Sequence, residues 1–230
     1  MPPALDWRVI SIGALDAHPE WGERDPVRTG HATTTLIRAQ DRIILVDPAL
    51  PPQILAARLP ERAAITPTQI TDVFLTCFRP DVRRALELFE DARWLIAEQE
   101  REAVGLMLID NLTRAGELAD DDLANTLRQE VATLRRCEPA PDTLAERVDL
   151  FPLPGVTPGL AGLLLAEPKH TTLICGDAIP TTEHLHAGKV VQWAADVNAA
   201  KQAFTEAIEI ADILVLGRDN AAINPTRRPF

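Results

Sequence analysis

The sequence predicts an α/β sandwich formed by a single domain of residues 1–230. Each half of the chain contains short apolar runs typical of buried strands, and each half is closed by segments with helical spacing. A mainly helical segment at about 98–138 separates the two halves and is interpreted as an insertion. The content of 46% apolar and 25% charged residues is that of a folded globular protein.

The first half is expected to form a strand-rich layer with short helices between the strands. Gln40 and Asp41 separate two apolar runs and suit a hairpin turn. Pro51 and Pro52 precede a helical stretch, since proline is tolerated in the first turn of a helix. Strands are predicted at 7–12, 33–39, 42–46, 72–76 and 94–97, and helices at 53–59 and 82–90.

The insertion is expected to form two helices that pack as a hairpin over the first half. A break is predicted near Ala115 and Gly116, and 120–122 is a candidate N-cap of the second helix because its carboxylates can accept hydrogen bonds from free amides. The residues with helical spacing expected to pack are Val104, Met107, Leu108, Leu112, Leu123, Leu127, Val131 and Leu134. The second half is predicted to contain strands at 148–153, 162–166, 171–174 and 213–216 and a helix at 199–210.

Charge and composition exclude several classes of partner. The net charge of −11 would repel phosphate backbones, and no basic stripe compensates for it, so no nucleic acid is expected. The longest uncharged apolar stretch, 159–166, is far shorter than the ~20 residues that span a bilayer, and the segment 1–6 lacks the features of a signal peptide, so no membrane is expected. The three cysteines, Cys77, Cys137 and Cys175, cannot all pair and lack metal-type spacing, which favours the cytoplasm.

Five predicted strands are followed by polar or glycine-containing turns. These turns are Val46-Asp47-Pro48, Thr76 to Val82, Leu153 to Gly159, Cys175-Gly176-Asp177 and Leu216 to Asn220. In order and spacing they resemble the metallo-β-lactamase-fold hydrolase superfamily, over roughly residues 30–220. The resemblance implies an αββα sandwich with a helical insertion, in which the five turns meet at one edge. It also implies a pair of zinc ions, held by motif histidines and two aspartates, that activates a hydroxide.

This sequence departs from the family at most of the positions that hold zinc. The resemblance maps the retained aspartates onto Asp47, Asp81 and Asp177, of which Asp81 and Asp177 belong to the metal site. The five histidine positions are instead Cys77, Arg79, Val82, Val156 and Arg218. Zinc needs three or four nitrogen, sulfur or oxygen donors, whereas valine offers none and arginine is a permanent cation. We therefore expect a degenerate site without the family's zinc, and no catalytic or metal-binding residue is assigned.

The two arginines at former ligand positions have an expected role in charge balance. Without metal ions, Asp81 and Asp177 would lie close together, and two neighbouring carboxylates cannot both ionise without cost. Arg79 and Arg218 can neutralise them through bidentate pairs. The pair of Asp177 with Arg218 is the more direct, because both lie on turns of the second half. The alternative is that both arginines point to solvent, as most arginines do.

The five histidines all lie outside the five turns. His31 and His184 can approach the mouth of the expected cleft. His184 and His186 would form a ligand pair on a loop or strand, but would point to different faces of a helix. The simpler interpretation is that the histidines lie on the surface or form local hydrogen bonds.

Cys77 is interpreted as a small buried thiol that fills the volume of a lost imidazole, because the turn contains no histidine to act as its base. Trp7, Trp94 and Trp193 are interpreted as packing residues, and Trp21 is expected at the rim of a pocket.

Three functions remain open at this stage. The first is a non-catalytic binding or scaffold protein that keeps the cleft for a small acidic ligand. The second is a hydrolase of an ester, thioester or lactone that uses an atypical or single-metal site, favoured by Asp47, Asp81 and Asp177. The third is a structural subunit of a homo- or hetero-oligomer that uses the helical insertion as its contact surface.

Overall fold

The structure, a computed structural model, describes residues 5–227, so the ends of the expected domain, 1–4 and 228–230, lie outside the described residues. Within this range the strands form two six-stranded sheets. The first sheet has the order β1 Asp6–Ser11, β2 Thr34–Ala39, β3 Arg42–Val46, β4 Asp72–Leu75, β5 Arg93–Ile96 and β6 Cys137–Pro139. The second has the order β12 Ala221–Ile223, β11 Ile213–Val215, β10 Thr171–Ile174, β9 Ala161–Ala166, β8 Val148–Pro152 and β7 Thr143–Ala145.

Each sheet combines hairpins with parallel strands. In the first sheet β1, β2 and β3 pair antiparallel, whereas β3 to β6 are parallel. The predicted hairpin between β2 and β3 is confirmed, and Gln40 adopts a left-handed φ of 53° in its turn. In the second sheet β7 to β10 pair antiparallel and β11 lies parallel to β10. Parallel neighbours place the carboxyl ends of several strands at the same edge of each sheet.

The helices are α1 Pro52–Ala63, α2 Glu98–Glu117, α3 Asp121–Arg136, α4 Thr182–Ala187 and α5 Val197–Ile210. Pro51 caps α1 and proline occupies its first position, as expected. Asp120 caps α3 and accepts a hydrogen bond from the Leu123 N–H at 3.0 Å, so the predicted cap is confirmed.

The alternation of side chains along the strands creates two apolar layers. Ile44, Phe74, Ile174 and Val215 point to the core shared by the two sheets. Their neighbours on the same strands, such as Leu45 and Leu173, belong to the cluster that includes residues of α1 and α5. The sheets therefore pack face to face with helices outside, which confirms the αββα sandwich.

The predicted helical hairpin of the insertion is confirmed, because α2 and α3 pack against each other and both contact β6. The chain breaks at 118–120 and not at Ala115 and Gly116, since α2 continues through both residues to Glu117. The prediction is wrong for two of the residues expected to pack, because Met107 and Leu123 are 54% and 43% exposed.

The predicted helix over 82–90 is also wrong, because only a single 3₁₀ turn forms at Leu86–Phe89. The N–H of Ala85 donates to the Pro48 carbonyl at 2.9 Å, which diverts the backbone from a helical hydrogen-bond pattern. The sequence analysis missed β6, β7, β12 and α4, none of which exceeds six residues. In the part of the chain that the structure describes, no helix is both long and apolar enough to cross a membrane.

Candidate functional site

The turns that follow the strands meet at one edge of the sandwich, as the resemblance implies. The turn after β4 reaches the turn after β3, because the backbone N–H of Thr76 donates to Asp47 Oδ1 at 2.8 Å. The turns after β10 and β11 touch: a Cβ on Gly217 would lie 2.3 Å from the Gly176 carbonyl oxygen, which requires glycine at position 217. Arg218 then joins the two halves of the site.

Arg218 lies between the two carboxylates that the family uses as metal ligands. Its Nε donates to Asp177 Oδ1 at 2.7 Å and its Nη2 to Asp177 Oδ2 at 2.6 Å, which is a bidentate pair. Its Nη1 donates to Asp81 Oδ2 at 2.5 Å. Only 3% of Arg218 is exposed. The guanidinium therefore lies between Asp81 and Asp177, which confirms the predicted pair of Arg218 with Asp177. The alternative, that this arginine points to solvent, is wrong.

The charges in this cluster stabilise one another. Burial alone would lower the pKa of Arg218, but the charge of Asp177, assisted by Asp81, raises that pKa above its ordinary value. Burial raises the pKa of Asp81, but the charges of Arg218 and Arg79 outweigh it, so this pKa lies below its ordinary value. Asp81 therefore remains ionised at neutral pH, and the cluster carries nearly balanced charge.

Arg79 occupies a more open position at the mouth of the site. Its Nε donates to Asp81 Oδ1 at 3.2 Å, and its guanidinium carbon lies 5.3 Å from the centre of the Trp193 ring. The side chain of Arg79 is 36% exposed, compared with 2% for that of Arg218. The two arginines thus share Asp81, but solvent screens only one of the two pairs.

The three remaining former histidine positions are buried and apolar. Cys77, Val82 and Val156 are at most 4% exposed. Burial, followed by the charge of Asp177, raises the pKa of the Cys77 thiol well above its ordinary value, so the thiolate that binds zinc is disfavoured. This supports Cys77 as a packing residue.

The donor set does not fit a pair of zinc ions. The carboxylate oxygens of Asp177 and one oxygen of Asp81 already accept hydrogen bonds from Arg218, whose charge would repel a cation. Among residues 5–227, no group of three or more histidine, cysteine or acidic side chains is arranged to hold a metal ion. No chemical step through a metal follows from these residues.

Asp47 forms a separate corner beneath the Arg218 cluster. Its left-handed backbone, with φ of 52°, turns the carboxylate toward Thr76, whose N–H and hydroxyl donate to it at 2.8 and 2.7 Å. Burial raises the pKa of Asp47 to about 7, although both hydrogen bonds from Thr76 oppose this shift. Asp47 is therefore a structural carboxyl group whose pKa lies close to neutral pH.

Glu100 is a site residue that the sequence analysis missed. It lies in the first turn of α2, is 1% exposed, and joins two of the motif turns. Oε1 accepts from the Phe78 N–H at 3.1 Å, and Oε2 accepts from the Thr157 hydroxyl at 2.7 Å and from the Gly159 N–H at 3.0 Å. The insertion therefore positions the edge of the site.

A cleft of about 490 Å³ opens above the Arg218 cluster. Arg79, Asp81, Arg84, Trp193 and Arg218 line it. A second cavity of about 640 Å³ also has Trp193 in its wall. Trp193, interpreted from the sequence as a packing residue, thus lies at the cleft.

Trp21, expected at a pocket rim, lines neither of these two cavities. It stacks on the ring of His18 at 4.2 Å, and its Nε1 donates to Glu183 at 2.9 Å. The buried His184 contacts the Thr181 hydroxyl at 2.9 Å through Nδ1, whereas His186 is exposed on the same helix, so the two do not form a ligand pair. Local hydrogen bonding is therefore the correct interpretation of His184.

Comparison with known proteins gives structural relatives only. No family model and no curated protein matches the sequence. A candidate metallo-β-lactamase from Thermotoga maritima is 19% identical, with a TM-score of 0.67 over 96% of this chain and 100% of that chain. A candidate metal-dependent hydrolase from Staphylococcus aureus is 13% identical, with a TM-score of 0.70 over 96% and 92%. AidC, a dizinc quorum-quenching lactonase crystallised with its product N-hexanoyl-L-homoserine, is 17% identical, with a TM-score of 0.61 over 77% and 67%. By its sheets, its converging turns and these relatives, the protein has the metallo-β-lactamase fold.

Proposed function

We propose that this protein is a non-hydrolytic form of the metallo-β-lactamase fold that binds a small acidic ligand in its cleft. The observation that supports this most strongly is the position of Arg218 between Asp81 and Asp177. A buried guanidinium with three of its nitrogens hydrogen-bonded replaces the positive charge that a metal would supply. It offers no open coordination position at which water could be activated.

The alternative is a metal-dependent hydrolase of an ester, thioester or lactone. The fold it shares with AidC, a dizinc lactonase, and the retained Asp47, Asp81 and Asp177 favour it. A metal bound here would first have to displace Arg218 from both carboxylates, which would leave a buried cation without its partners. That displacement is costly, so the binding function is the better supported.

Metal analysis separates the two functions. Protein purified without chelator is expected to contain far less than one zinc per chain, and to leave aryl esters, thioesters and N-acyl homoserine lactones intact with or without added zinc. The Arg218→His variant is the matched control, because it frees both carboxylates and adds an imidazole donor, and it should retain more zinc. Two tightly held zinc ions in the unaltered protein, or hydrolysis that chelator abolishes and zinc restores, would contradict the proposal.

We also propose a reducing compartment such as the cytoplasm. All three cysteines are free and none pairs with another, as is usual for chains that fold in a reducing compartment. Labelling of thiols in freshly lysed cells, under denaturing conditions, should find all three reduced; disulfide-linked chains would contradict this.

A homo-oligomer that uses the insertion is a further proposal. It is supported by exposed apolar side chains on α2 and at its end, among them Leu106, Ile109 and Leu118. Sedimentation equilibrium should then show a self-association that Leu106→Glu weakens. A monomer at all concentrations would remove this proposal.

A further inference from the structure

The cleft carries cationic groups that the Arg218 cluster does not use. Each of the three guanidinium nitrogens of Arg218 already donates a hydrogen bond to Asp81 or Asp177. Arg79 uses only Nε, toward Asp81, and among residues 5–227 its two Nη nitrogens have no hydrogen-bond partner. These two nitrogens form one edge of the guanidinium, with the parallel N–H geometry that pairs with a carboxylate.

Arg84 adds a second guanidinium to the same wall. Its Nη2 donates to the Gly30 carbonyl at 2.8 Å, which anchors the group at the cleft, since Gly30 lines it too. In the described part of the chain, its Nε and Nη1 have no hydrogen-bond partner. Two partly satisfied guanidiniums therefore border one cavity.

Trp193 supplies an apolar surface beside these charges. It is 39% exposed, so part of its apolar ring is open to the cleft, and the Arg79 guanidinium lies over the ring with its carbon 5.3 Å from the ring centre. The cleft thus combines a carboxylate-binding edge with a flat apolar wall, and its volume of about 490 Å³ is that of a small-molecule pocket.

The surroundings limit the charge of the ligand. Asp16 also lines the cleft and makes no ion pair within residues 5–227, so it disfavours a dianion. The chain as a whole carries a net charge of −11, which repels extended polyanions. A ligand with a single negative charge, small enough to stay inside the cleft, is repelled less than a dianion or an extended polyanion.

We infer that the cleft binds a small monocarboxylate with an apolar, planar part, the carboxylate on Arg79 and Arg84 and the planar part on Trp193. This inference rests on the proposed function, because it needs a cleft in which Arg218 keeps the position between the aspartates. It names the ligand class that the proposed function leaves open.

The test is a titration with 2-naphthoate, followed by calorimetry, on protein whose zinc content is measured in the same batch. Saturable binding with one site is expected. Because a charge-assisted hydrogen bond contributes about 1.5–3 kcal/mol, Arg79→Gln should weaken binding about tenfold or more. Trp193→Ala should weaken it as well. Arg84→Gln serves as a second variant at an exposed position, and a thermal melt of each variant verifies folding.

Control experiments separate recognition of the carboxylate charge from non-specific apolar binding. Arg114→Gln removes an arginine of α2 that is 69% exposed and lies away from the cleft, so it should leave the affinity unchanged. The neutral 2-naphthamide should bind about tenfold more weakly than 2-naphthoate, and 2-naphthyl phosphate should not bind more tightly.

The inference is overturned if 2-naphthoate does not bind, if 2-naphthamide binds as well, or if 2-naphthyl phosphate binds more tightly. It is also overturned if folded Arg79→Gln and Arg84→Gln both bind like the unaltered protein. If a batch that contains no zinc and shows no hydrolysis fails to bind 2-naphthoate, the proposed ligand class is wrong but the proposed function still stands. Zinc in the batch together with chelator-sensitive hydrolysis removes the proposed function, and with it the metal-free cleft that the inference needs.

Discussion

The Asp47 corner and the Arg218 cluster are two buried carboxylate sites at the same edge of the sandwich, yet their charges behave in opposite ways. Asp47 accepts two good hydrogen bonds, both from the neutral groups of Thr76, and its pKa is raised to about 7. Asp81 accepts from Arg218 and Arg79, and its pKa is lowered. The cation, and not the number of hydrogen bonds, decides which of these carboxylates stays ionised.

The difference explains how this edge can hold Asp81 and Asp177 close together. At Asp47 the two hydrogen bonds from neutral groups do not offset the effect of burial, so this carboxyl group takes up a proton more readily than usual. Asp81 and Asp177 face each other, so without a cation at least one would have to be protonated. Arg218 provides that cation from a position that belongs to the family's ligand set, so the turns keep their geometry.

The largest expected effect is on removal of the shared cation. Arg218→Ala leaves the buried Asp177 without its bidentate partner, and it leaves Asp81 with only the more exposed pair to Arg79. Because breaking a buried ion pair from one side costs about 3–5 kcal/mol, the free energy of unfolding should fall by that amount. Urea denaturation at pH 7.5 measures it.

The double variant Arg218→Ala with Asp177→Ala provides the control for this interpretation. If the loss comes from an unpaired charge, removing that charge should recover part of the stability, since the two positions are coupled. A single variant as stable as the unaltered protein, or a double variant that is simply the sum of two losses, would place the stabilisation elsewhere.

Glu100→Ala tests whether a buried carboxylate that accepts hydrogen bonds only from neutral donors stabilises the fold less than the Arg218 cluster does. Glu100→Ala leaves the N–H groups of Phe78 and Gly159 and the Thr157 hydroxyl without their acceptor. A buried donor left unpaired costs about 1–3 kcal/mol, and truncation to alanine leaves space for water beside these three donors. At the low end of that range, about 1 kcal/mol for each donor, we expect a loss of about 3 kcal/mol, no larger than that of Arg218→Ala. Glu102→Ala, at an exposed position of the same helix, is the matched control and should change the unfolding free energy little. A Glu100→Ala loss that exceeds the Arg218→Ala loss would reverse the comparison.

Arg218 and Glu100 also show which site residues could be predicted from the sequence and which could not. Asp81, Asp177 and Arg218 could be predicted because the turns that contain them resemble, in order and spacing, the motif turns of the metallo-β-lactamase superfamily, and that resemblance implies turns that meet at one edge. Glu100 has no such signal: a glutamate in the first turn of a helix is common, and its partners lie 22, 57 and 59 residues away.

Two further errors have the same origin. The interpretation of Trp193 as a packing residue missed its place at the cleft. The exposure of a side chain in a loop depends on tertiary contacts, which no local sequence pattern encodes. The 82–90 segment has helical spacing, but a hydrogen bond from Ala85 to the distant Pro48 overrides it. Local periodicity predicted the longer strands and the insertion, whereas the three-residue strands β6, β7 and β12 were missed and contacts between distant segments decided the other differences.

The Asp47 corner should reveal itself through pH. Its folded pKa of about 7 lies above the ordinary value of 3.8, so the folded state holds an extra proton between these values. Stability from this group is therefore present below about pH 4 and is lost as the pH rises through 7. Asp47→Asn keeps an acceptor for the Thr76 N–H and cannot ionise. It should gain about 3 kcal/mol relative to the unaltered protein as the pH rises from 4.5 to 7.5.

Urea denaturation across that pH range, on both proteins in the same buffers, measures this gain. A constant difference between them would mean that Asp47 does not titrate in the window. A variant that is less stable at pH 7.5 would mean that the ionised carboxylate is the favoured form, and the contrast with Asp81 would then disappear.

The smallest effect is expected at Arg79, and it sharpens the comparison within the cluster itself. Arg79 and Arg218 both pair with Asp81, but the side chain of Arg79 is 36% exposed and that of Arg218 is 2% exposed. An exposed ion pair contributes about 0–1 kcal/mol, so Arg79→Ala should lower the unfolding free energy by no more than that. Added salt screens an exposed pair and hardly screens a buried one. The Arg79→Ala loss should therefore vanish in 1 M sodium chloride, while the Arg218→Ala loss persists. Equal salt sensitivity in the two variants would show that solvent reaches both ion pairs. Burial would then no longer explain why Arg218 stabilises the site while Arg79 remains free to bind a ligand.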